Sequence, residues 1–376
     1  MEFRDLKRQY ISMKREIDEA VLSIMEKGTF IMGQPVMKLE EELSGYVGAK
    51  HCITCANGTD ALHLALMAWG IGVGDAVFIP DFTFFSTGEV VSAVGAEPIF
   101  VDIDRNTFNI STQDLENKIQ IVLEEGKLTP KVIVPVDLFG LPADYQKINK
   151  IGDKYGLKIL EDGAQGFGGT INGQKVCSFG HISTTSFFPA KPLGCYGDGG
   201  AIFTDDNNIA ALLRSLCVHG KGANKYDNIR IGVNSRLDTL QAAILSIKLK
   251  AFKQYELRDI QRAAEFYSHE LQDIVDTPFI PVSYTSSYAQ YTIKVKNNCV
   301  RDDLQSYLSK NGIPSMVYYY KPMHLQKAFN SISYKSFHYP VSEELCNKVL
   351  SLPIHPYITQ EEQQFVCNKI REFIGD

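Results

Sequence analysis

The chain has 376 residues, of which 44% are hydrophobic and 22% charged, and its net charge at pH 7 is -6. This length is enough for a large domain plus a smaller one, and the composition is typical of a soluble globular protein. The mild acidity argues against nucleic acid or an anionic membrane as a partner. No run approaches the ~20 apolar residues of a membrane span, and the start, Met1-Glu-Phe-Arg-Asp-Leu6, lacks the apolar core of a signal peptide. We therefore expect a cytoplasmic protein that binds neither nucleic acid nor membranes.

The eight cysteines are scattered along the chain. Cys52 and Cys55 form a CxxC, but no second pair stands at the spacing of zinc ligands, and no other set of residues predicts a metal site. Both lie in a run that reads as a buried strand. We interpret them as small apolar core residues in a reducing compartment.

The predicted elements begin with two amphipathic helices, over Asp18–Lys27 and Val36–Tyr46. From about residue 50 to 205, β-rich runs alternate with helical or turn segments, and several runs are apolar on consecutive residues. Such runs are typical of strands buried on both faces, which predicts an α/β fold with a mostly parallel sheet of about seven strands covered by helices. The predicted strands are His51–Ala56, Ala76–Pro80, Glu97–Ile103, Lys131–Val136, Lys158–Asp162, Ile182–Phe188 and Gly200–Thr204.

The last third of the chain changes pattern. Ser235–Leu271 reads as one long helix, and it is followed by a strand at Ala289–Val295. Three more helices are predicted, over Val300–Asn311, Ser342–Leu350 and Gln360–Phe373. We therefore expect a large domain over residues 1–250 and a smaller C-terminal α+β domain over residues 251–376, with the long helix as the connector.

Lys191 lies in the segment Ser186-Phe-Phe-Pro-Ala-Lys191-Pro-Leu-Gly, after a predicted strand and before a glycine-rich turn. Pro189 and Pro192 hold it in a fixed and partly desolvated place. Desolvation lowers the pKa of an amine, and the neutral amine is the form that attacks an aldehyde. The segment alone supports a nucleophilic lysine and an ordinary surface lysine equally well.

Asp162 ends the predicted strand Lys158–Asp162. A carboxylate at the carboxyl end of a buried parallel strand points into the crevice where open α/β sheets bind ligands. Facing a pyridine nitrogen, it would keep that nitrogen protonated, so that the ring withdraws electrons from a substrate carbon. The alternative is a carboxylate that caps the following turn. Glu161 points to the opposite face and is the weaker candidate, whereas Gln165 can hydrogen-bond the phenolic oxygen of such a cofactor.

Asn57-Gly58-Thr59 lies between the first predicted strand and a helix predicted over Asp60–Trp69. The N-terminus of a helix offers free N–H groups and a favourable dipole for phosphate. Gly58 lets the backbone approach closely, and Thr59 adds a hydroxyl. The alternative is that Thr59 only caps the helix.

Three phenylalanines, Phe82, Phe84 and Phe85, follow the strand Ala76–Pro80. One of them could stack on a flat cofactor ring. The others are expected to be part of the core.

Four motifs in the same order and spacing resemble the DegT/StrS-type sugar aminotransferases, and the similarity runs from Phe3-Arg-Asp-Leu to Ser351-Leu-Pro-Ile-His355-Pro. The resemblance implies a fold-type I enzyme with pyridoxal 5'-phosphate as cofactor. It implies that Lys191 bonds to the cofactor aldehyde and later moves the proton between the substrate carbon and C4′. The motifs are Glu161-Asp-Gly-Ala-Gln165, Ser186-Phe-Phe-Pro-Ala-Lys191-Pro-Leu-Gly, Gly197-Asp-Gly-Gly200 and Asn234-Ser-Arg-Leu-Asp-Thr-Leu-Gln241.

The same resemblance implies the other cofactor contacts. Asp162 would pair with the pyridinium nitrogen, and Gln165 would approach the phenolic oxygen. Phe84 would stack on the ring. The phosphate would be bound by Gly58, Thr59 and Ser186, together with Asn234 from the partner subunit of a homodimer. The chain has Gly163 where the family usually has alanine and Asn57 where serine is common.

Within the family, the chain is similar to the group that acts on UDP-2-acetamido-2-deoxy-3-oxo-glucuronate. It departs from that group in the loop that helps to hold the sugar, Val317-Tyr318-Tyr319-Tyr320. Tyr318 stands where the group has histidine, and Tyr320 replaces a proline. Arg236 can pair with a carboxylate or a diphosphate. We therefore take Arg236, Tyr318 and Tyr319 as candidate substrate-binding residues.

The predicted function is amino transfer from L-glutamate to a keto group, expected at C3, of a nucleotide-linked sugar, for amino-sugar and surface-polysaccharide biosynthesis. The alternative is an aminotransferase acting on a dTDP-3-oxo- or 4-oxo-6-deoxyhexose. More distant alternatives are a sugar dehydratase, in which histidine replaces the lysine, and a non-catalytic regulatory member. The presence of Lys191, Asp162 and Ser186 argues against both.

Overall fold

A computed structural model describes residues 1–224, 226–332 and 337–375. Its strands are β1 (His51–Cys55), β2 (Asp75–Pro80), β3 (Glu97–Val101), β4 (Thr129–Ile133), β5 (Lys158–Asp162), β6 (Thr170–Ile171), β7 (Gln174–Lys175), β8 (Ile182–Ser186), β9 (Gly200–Thr204), β10 (Tyr284–Thr285), β11 (Tyr291–Lys294) and β12 (Val349–Leu352). Its α-helices are α1 (Leu6–Ser12), α2 (Lys14–Lys27), α3 (Gln34–Val47), α4 (Gly58–Ala68), α5 (Ser86–Ala93), α6 (Thr112–Glu125), α7 (Tyr145–Tyr155), α8 (Asn207–Leu216), α9 (Thr239–Ala251), α10 (Leu257–Leu271), α11 (Asn298–Lys310), α12 (Pro340–Cys346) and α13 (Gln360–Gly375).

The largest sheet has seven strands in the order β1-β9-β8-β5-β4-β2-β3. The pairs β2–β3, β2–β4, β4–β5 and β5–β8 are parallel, whereas β9 runs antiparallel to both β8 and β1. The predicted mostly parallel seven-stranded sheet is therefore confirmed. Because all strands except β9 point the same way, the carboxyl ends of β1, β2, β5 and β8 meet at one edge of the sheet, where open α/β sheets bind ligands.

Helices cover both faces of this sheet because alternate residues of each strand point to opposite sides. On one face, Val77 and Ile79 of β2 pack in a cluster with buried residues of α4 and α8. On the other face, Phe78 packs with α6 and α7. Farther along that second face, Phe203 of β9 packs with α3 and α9. The sheet is thus buried on both sides, as its long apolar runs predict.

The C-terminal part contains the two-stranded sheet of β11 and β12, which pair antiparallel. It shows one prediction to be wrong, since the helix expected over Ser342–Leu350 ends at Cys346 and Val349–Leu352 forms β12. The apolar run of β12 is compatible with a helix when taken alone. Its pairing with β11, more than fifty residues earlier in the chain, decides for a strand.

The helix predicted over Ser235–Leu271 begins later than expected. It starts at Thr239, and a single π-helical turn at Phe252–Glu256 separates α9 from α10. Ser235 instead uses its hydroxyl to accept a hydrogen bond from the backbone N–H of Ala56, at 3.0 Å. The division into two domains at residue 250 stays a prediction.

Cys52 and Cys55 lie in β1 and are 2% and 0% exposed, which agrees with their interpretation as core residues. Among residues 1–224, 226–332 and 337–375, no group of three or more His, Cys, Asp and Glu side chains is placed to hold a metal ion. In the same ranges, no helix is long and apolar enough to cross a membrane.

Candidate active site

Asp162 lies at the carboxyl end of β5, and its side chain is buried. One carboxylate oxygen accepts a hydrogen bond from the Thr87 hydroxyl at 2.9 Å, and the other accepts one from the Ala164 N–H at 3.2 Å. Burial raises the pKa of Asp162, while these two hydrogen bonds and the nearby Lys191 act in the opposite direction. The fold therefore holds this carboxylate in one orientation and out of bulk water.

Glu161 points to the opposite face of the sheet, and both of its carboxylate oxygens accept hydrogen bonds from neighbouring groups. Its carboxylate accepts hydrogen bonds from the Ser183 hydroxyl at 2.6 Å and from the backbone N–H groups of Cys177 and Phe179 at 2.5 and 2.8 Å. These contacts tie the segment before β8 to β5. Asp162, and not Glu161, is therefore the carboxylate that faces the crevice.

Lys191 lies in a compact loop that connects β8 to β9. Its backbone N–H donates to the Phe188 carbonyl at 2.8 Å, and Cys195 N–H donates to the Phe187 carbonyl at 2.7 Å. Gly194 is required by this turn, because a Cβ there would lie 2.4 Å from the Pro189 carbonyl oxygen. Burial lowers the pKa of Lys191, the nearby Asp162 raises it, and the nearby Arg4 lowers it further. The loop thus presents an amine that loses its proton more easily than a free lysine side chain does.

The turn before α4 lies beside the end of β8. Asn57 is the N-cap of α4, and its side chain accepts a hydrogen bond from the Asp60 N–H at 2.7 Å. Since Asn57 fills this role, the hydroxyl of Thr59 is not needed as the cap. Gly58 packs so closely that a Cβ would lie 2.7 Å from Cβ of Ser186. Gly58, Thr59 and Ser186 are therefore together at one helix N-terminus, as a phosphate site requires.

Gln165 connects the end of β5 to the loop of three tyrosines. Its side-chain oxygen accepts from the Phe139 N–H at 2.9 Å, and its side-chain nitrogen donates to the Tyr319 hydroxyl at 3.2 Å. Burial raises the pKa of Tyr319 well above its usual value, so this hydroxyl stays protonated. Tyr318 is half-buried and its ring meets that of Tyr319 edge-on at 5.7 Å. The structure thus brings two candidate substrate residues to the Asp162 side of the crevice.

The three phenylalanines after β2 have different surroundings. Phe82 is 1% exposed and packs edge-on against Tyr319 at 5.8 Å, and Phe85 packs on Phe329 at 5.3 Å. Phe84 is 54% exposed, which leaves its ring free for a ligand. Phe84 is therefore the member of the set that can stack on a cofactor.

Asn234 and Arg236 are placed differently from the residues above. They line a separate cavity of about 470 Å³ together with Ala56, Gly197 and Asp198. The side chain of Asn234 is exposed. Asn234 therefore sits on the surface of the molecule and does not point into the buried site around Asp162 and Lys191.

Several residues of the site carry no signal in the sequence. Thr87, which orients Asp162, lies in α5 without any motif, and only the fold brings it to β5. Arg4 lies next to the Lys191 loop, although 187 positions separate the two in the chain. Gly163 is explained by packing, because a Cβ there would lie 2.8 Å from Val176 and 2.9 Å from the sulfur of Cys177.

These residues fit a phosphorylated pyridine aldehyde. Neighbouring strands β5 and β8 carry the buried carboxylate and Ser186, and Ser186 touches the glycine at the N-terminus of α4. A side chain at Gly58 would collide with Ser186, so only glycine lets the N-terminus of α4 approach the Ser186 hydroxyl this closely. The desolvated Lys191 supplies the amine for the aldehyde, and Asp162 supplies the partner for a ring nitrogen.

Comparison with known proteins agrees with this class of site. The family model for DegT/DnrJ/EryC1/StrS aminotransferases matches residues 11–371. The chain therefore belongs to this family, and the predictions of a fold-type I architecture and of a sugar aminotransferase are confirmed.

Three curated relatives each align over 98% of the chain. The UDP-2-acetamido-2-deoxy-3-oxo-D-glucuronate aminotransferase of Pseudomonas aeruginosa is 43% identical, with 98% of its own length covered. A protein of Geobacillus stearothermophilus named pleiotropic regulatory protein is 41% identical, with 97% covered. The UDP-N-acetyl-3-dehydro-alpha-D-glucosamine 3-aminotransferase of Acidithiobacillus ferrooxidans is 39% identical, with 96% covered.

Solved structures agree as well. A DegT DnrJ EryC1 StrS aminotransferase from Brucella abortus superposes with a TM-score of 0.97 at 47% identity, and the match covers 100% of both chains. NtdA from Bacillus subtilis, solved with bound cofactor PMP, has a TM-score of 0.87 at 30% identity, covering 97% of this chain and 82% of that one. The expected cofactor class is therefore confirmed at the level of the family.

Proposed function

We propose that this protein transfers the amino group of L-glutamate to a keto group, at C3, of a UDP-linked sugar, with pyridoxal 5'-phosphate bound at Lys191. The observation that carries the proposal is the arrangement of the desolvated Lys191 beside the buried Asp162 and the phosphate-binding turn at Gly58. The product would be an amino sugar for polysaccharide biosynthesis.

The bound cofactor supplies an electron sink for the substrate carbon that exchanges its amino group. Asp162 holds the proton on the pyridine nitrogen, and Thr87 fixes the orientation of its carboxylate. The amine of Lys191 moves the proton at the reacting carbon, because it is desolvated and lies next to Asp162. Gln165, whose side chain is fixed by the Phe139 N–H and the Tyr319 hydroxyl, would lie beside the phenolic oxygen of the ring.

The phosphate is held at the N-terminus of α4 by the backbone at Gly58 and by the hydroxyls of Thr59 and Ser186. The exposed Phe84 closes the site by stacking on the ring. These phosphate and ring contacts would hold the cofactor independently of its bond to Lys191.

The C3 keto group and the UDP carrier are supported by the two relatives whose names specify UDP-3-oxo and UDP-3-dehydro sugars. The sugar would bind against Tyr318 and Tyr319, whose rings pack on each other. Arg236 lines the same cavity as Asn234 and would meet a diphosphate or carboxylate there. Tyr318 differs from the histidine expected for a uronate-specific enzyme. A dTDP-linked 3-oxo- or 4-oxo-6-deoxyhexose is therefore the second candidate substrate.

We further infer a homodimer in which Asn234 reaches the phosphate of the partner's site. Asn234 is exposed, and a neighbouring cavity of about 1110 Å³ is lined by Val218, His219, Lys221, Tyr226 and residues 228–232, together with Met32 and Arg236. In this region Ile231 is 87%, Tyr226 86% and Ile229 56% exposed, so three large apolar side chains lie close together at the surface. A second copy of the chain would cover this patch and complete the site.

Two wider features belong to the same proposal. The cofactor site lies within residues 1–250, and residues 251–376 form the smaller domain. The eight cysteines are all free thiols, seven of them buried, which favours the cytoplasm as the compartment.

The substrate assignment is tested with a panel of 3-keto and 4-keto nucleotide sugars, with L-glutamate as amino donor. We expect turnover of a UDP-linked 3-keto sugar. Turnover of only dTDP-linked or 4-keto sugars would refute the C3 and UDP assignment and leave the class intact. No turnover of any sugar by a protein that binds the cofactor would refute the amino-transfer proposal itself.

A further inference from the structure

The N-terminal segment lies against the Lys191 loop. The Phe3 carbonyl accepts from the Ile354 N–H at 3.3 Å, and the Phe3 ring meets Tyr318 edge-on at 6.3 Å. The next residue, Arg4, donates from Nη2 to the Pro192 carbonyl at 3.4 Å. Asp5 then caps α1 through the Arg8 N–H at 2.8 Å. These contacts fix Arg4 between the cofactor lysine and the tyrosine loop.

The guanidinium of Arg4 is incompletely paired. Its Nη1 is buried and finds no hydrogen-bond partner within residues 1–224, 226–332 and 337–375. The contact to Pro192 is long for a hydrogen bond. Burial lowers the pKa of Arg4 to about 10, and Glu256 only partly offsets this. A guanidinium carries several fixed N–H donors, and leaving them buried and unpaired is costly unless an anion or acceptor joins them.

Two buried charged groups near Arg4, Glu256 and Lys248, affect the electrostatics of its guanidinium. Glu256 is 2% exposed and already accepts hydrogen bonds from Gln9 at 2.8 Å and Tyr357 at 2.7 Å. Lys248 is also buried, at 1% exposure, and its Nζ lies 4.8 Å from the centre of the Tyr196 ring but has no hydrogen-bond partner in the described ranges. The pKa of Lys248 is lowered by burial to about 8. The carboxylate of Glu256 is therefore already engaged by other donors, and Nη1 of Arg4 keeps a donor without an acceptor.

We propose that Arg4 is a specificity-determining residue that binds a carboxylate of a substrate entering the Lys191 site. The proposal rests on the proposed amino-transfer function, because that reaction brings a carboxylate to Lys191. The planar fork of a guanidinium matches a carboxylate in a bidentate contact. The cofactor phosphate is assigned to other groups, at the N-terminus of α4 beside Ser186. Two substrates can supply the carboxylate, namely the amino donor L-glutamate and a sugar acid on the nucleotide.

The test compares Arg4→Met, Arg4→Lys and the control Arg15→Met, which changes an exposed arginine of α2. All are loaded with pyridoxal phosphate and checked for the visible absorption band of the lysine-bound cofactor. The L-glutamate half-reaction is then followed in a single turnover. Binding of UDP-N-acetylglucosaminuronate and of UDP-N-acetylglucosamine, which differ in the carboxylate, is measured by calorimetry.

We expect Arg4→Met to weaken binding of one carboxylate ligand by about ten- to hundredfold, the range for loss of a charged hydrogen bond. In the L-glutamate half-reaction, the limiting rate should change far less than the L-glutamate concentration that gives half of that rate. Arg4→Lys should recover part of the affinity. Arg15→Met should behave as wild type. A loss confined to L-glutamate assigns Arg4 to the amino donor. A loss confined to the uronate nucleotide assigns it to the sugar.

The proposal is overturned if Arg4→Met forms the visible band and binds L-glutamate and both nucleotides within twofold of wild type. Equal weakening of the two nucleotides, with L-glutamate unchanged, also overturns it, since the contact would then be to the diphosphate. A variant that folds but no longer captures the cofactor overturns it in favour of a cofactor-binding role. If the wild-type protein forms no band at all, the proposed function fails first, which separates the two failures.

Discussion

Lys191 is set between two charges of opposite sign that act on the same amine. Asp162 raises its pKa and Arg4 lowers it, while burial, the largest effect, favours the neutral form. Removing Asp162 should therefore lower the pKa of Lys191, and removing Arg4 should raise it.

We predict that the pH dependence of cofactor capture by the cofactor-free protein reports this balance. Only the neutral amine attacks the aldehyde, so the midpoint of the rate against pH follows the pKa of Lys191. Arg4→Met should move the midpoint to higher pH and Asp162→Asn to lower pH. Stopped-flow absorbance against pH measures both, and shifts of the same sign in the two variants would refute the account.

His355 gives a second prediction at this scale, on stability. It is 2% exposed, and burial followed by the nearby Arg4 lowers its pKa from 6.5 to about 4. Asp5 and Glu362 oppose this shift, and Arg8 adds to it. Because the folded-state pKa is depressed, the stabilising contribution of neutral His355 is complete above pH 6.5 and is lost as the pH falls towards 4.

The contribution lost is about 3 kcal/mol, from the size of the pKa difference. In the wild-type protein, Nδ1 of His355 accepts a hydrogen bond from the Tyr357 N–H at 3.3 Å. The variant His355→Asn keeps an acceptor for this N–H, but asparagine has no ionisable group. Denaturant unfolding of the two proteins should show that the variant loses less stability than wild type between pH 7 and 4. Parallel curves over that range would contradict the assignment.

At the level of secondary structure, the motif Asn57-Gly58-Thr59 at the N-terminus of α4 contains one residue that caps the helix and one that is proposed to bind phosphate. Asn57 caps the helix, so Asn57→Ala should lower the free energy of unfolding by about 1 kcal/mol. Thr59→Val should leave stability within about 0.5 kcal/mol. It should weaken cofactor binding by about tenfold, because it removes one hydroxyl from the phosphate site. Chemical denaturation and cofactor titration measure the two effects, and an unchanged affinity in Thr59→Val would remove Thr59 from the site.

The sequence predicts best those elements whose two faces are both buried in the core. The seven strands of the main sheet are buried on both faces, so their apolar runs suffice to identify them. The strand β12 is different, since Val349–Leu352 follows directly on the helix α12 with no glycine or proline between them. Its state is decided by β11, a partner that local pattern does not reveal. The later start of α9 likewise depends on the bond from Ala56 to Ser235.

The same distinction holds for the site. The sequence predicts the strand ends and turns that contain Lys191, Asp162 and Gly58, so these residues could be identified from the order of the elements. Thr87 and Arg4 act on the site from distant parts of the chain, and the residues around them do not indicate which groups they contact. Such residues become visible only when the packing is known.

At the scale of the whole molecule, the account requires two chains for one site. A mixture of inactive Lys191→Ala with Asn234→Asp should therefore recover activity, because a mixed dimer contains one site with an intact Lys191 and an intact Asn234. Random exchange of subunits predicts about a quarter of the wild-type activity. Assay after refolding the two variants together measures it. Activity no higher than that of the separate variants would place Asn234 outside the partner's site.

The exposed patch predicts the same assembly independently. Ile231→Asp puts a charge on the surface that the partner would cover, so we expect a shift towards monomer in sedimentation. The described fold of a single chain should be kept, as judged by circular dichroism. A fully active monomer would contradict the shared site.

The central claim, that Lys191 binds pyridoxal phosphate and uses it for amino transfer, is tested most directly by absorbance of the purified protein. Wild type should be yellow with pyridoxal phosphate, and its visible band should disappear on addition of L-glutamate. Lys191→Ala should lack the band of the lysine-bound form, although Asp162 and the phosphate site remain. A wild-type protein that stays colourless at saturating pyridoxal phosphate would contradict the account.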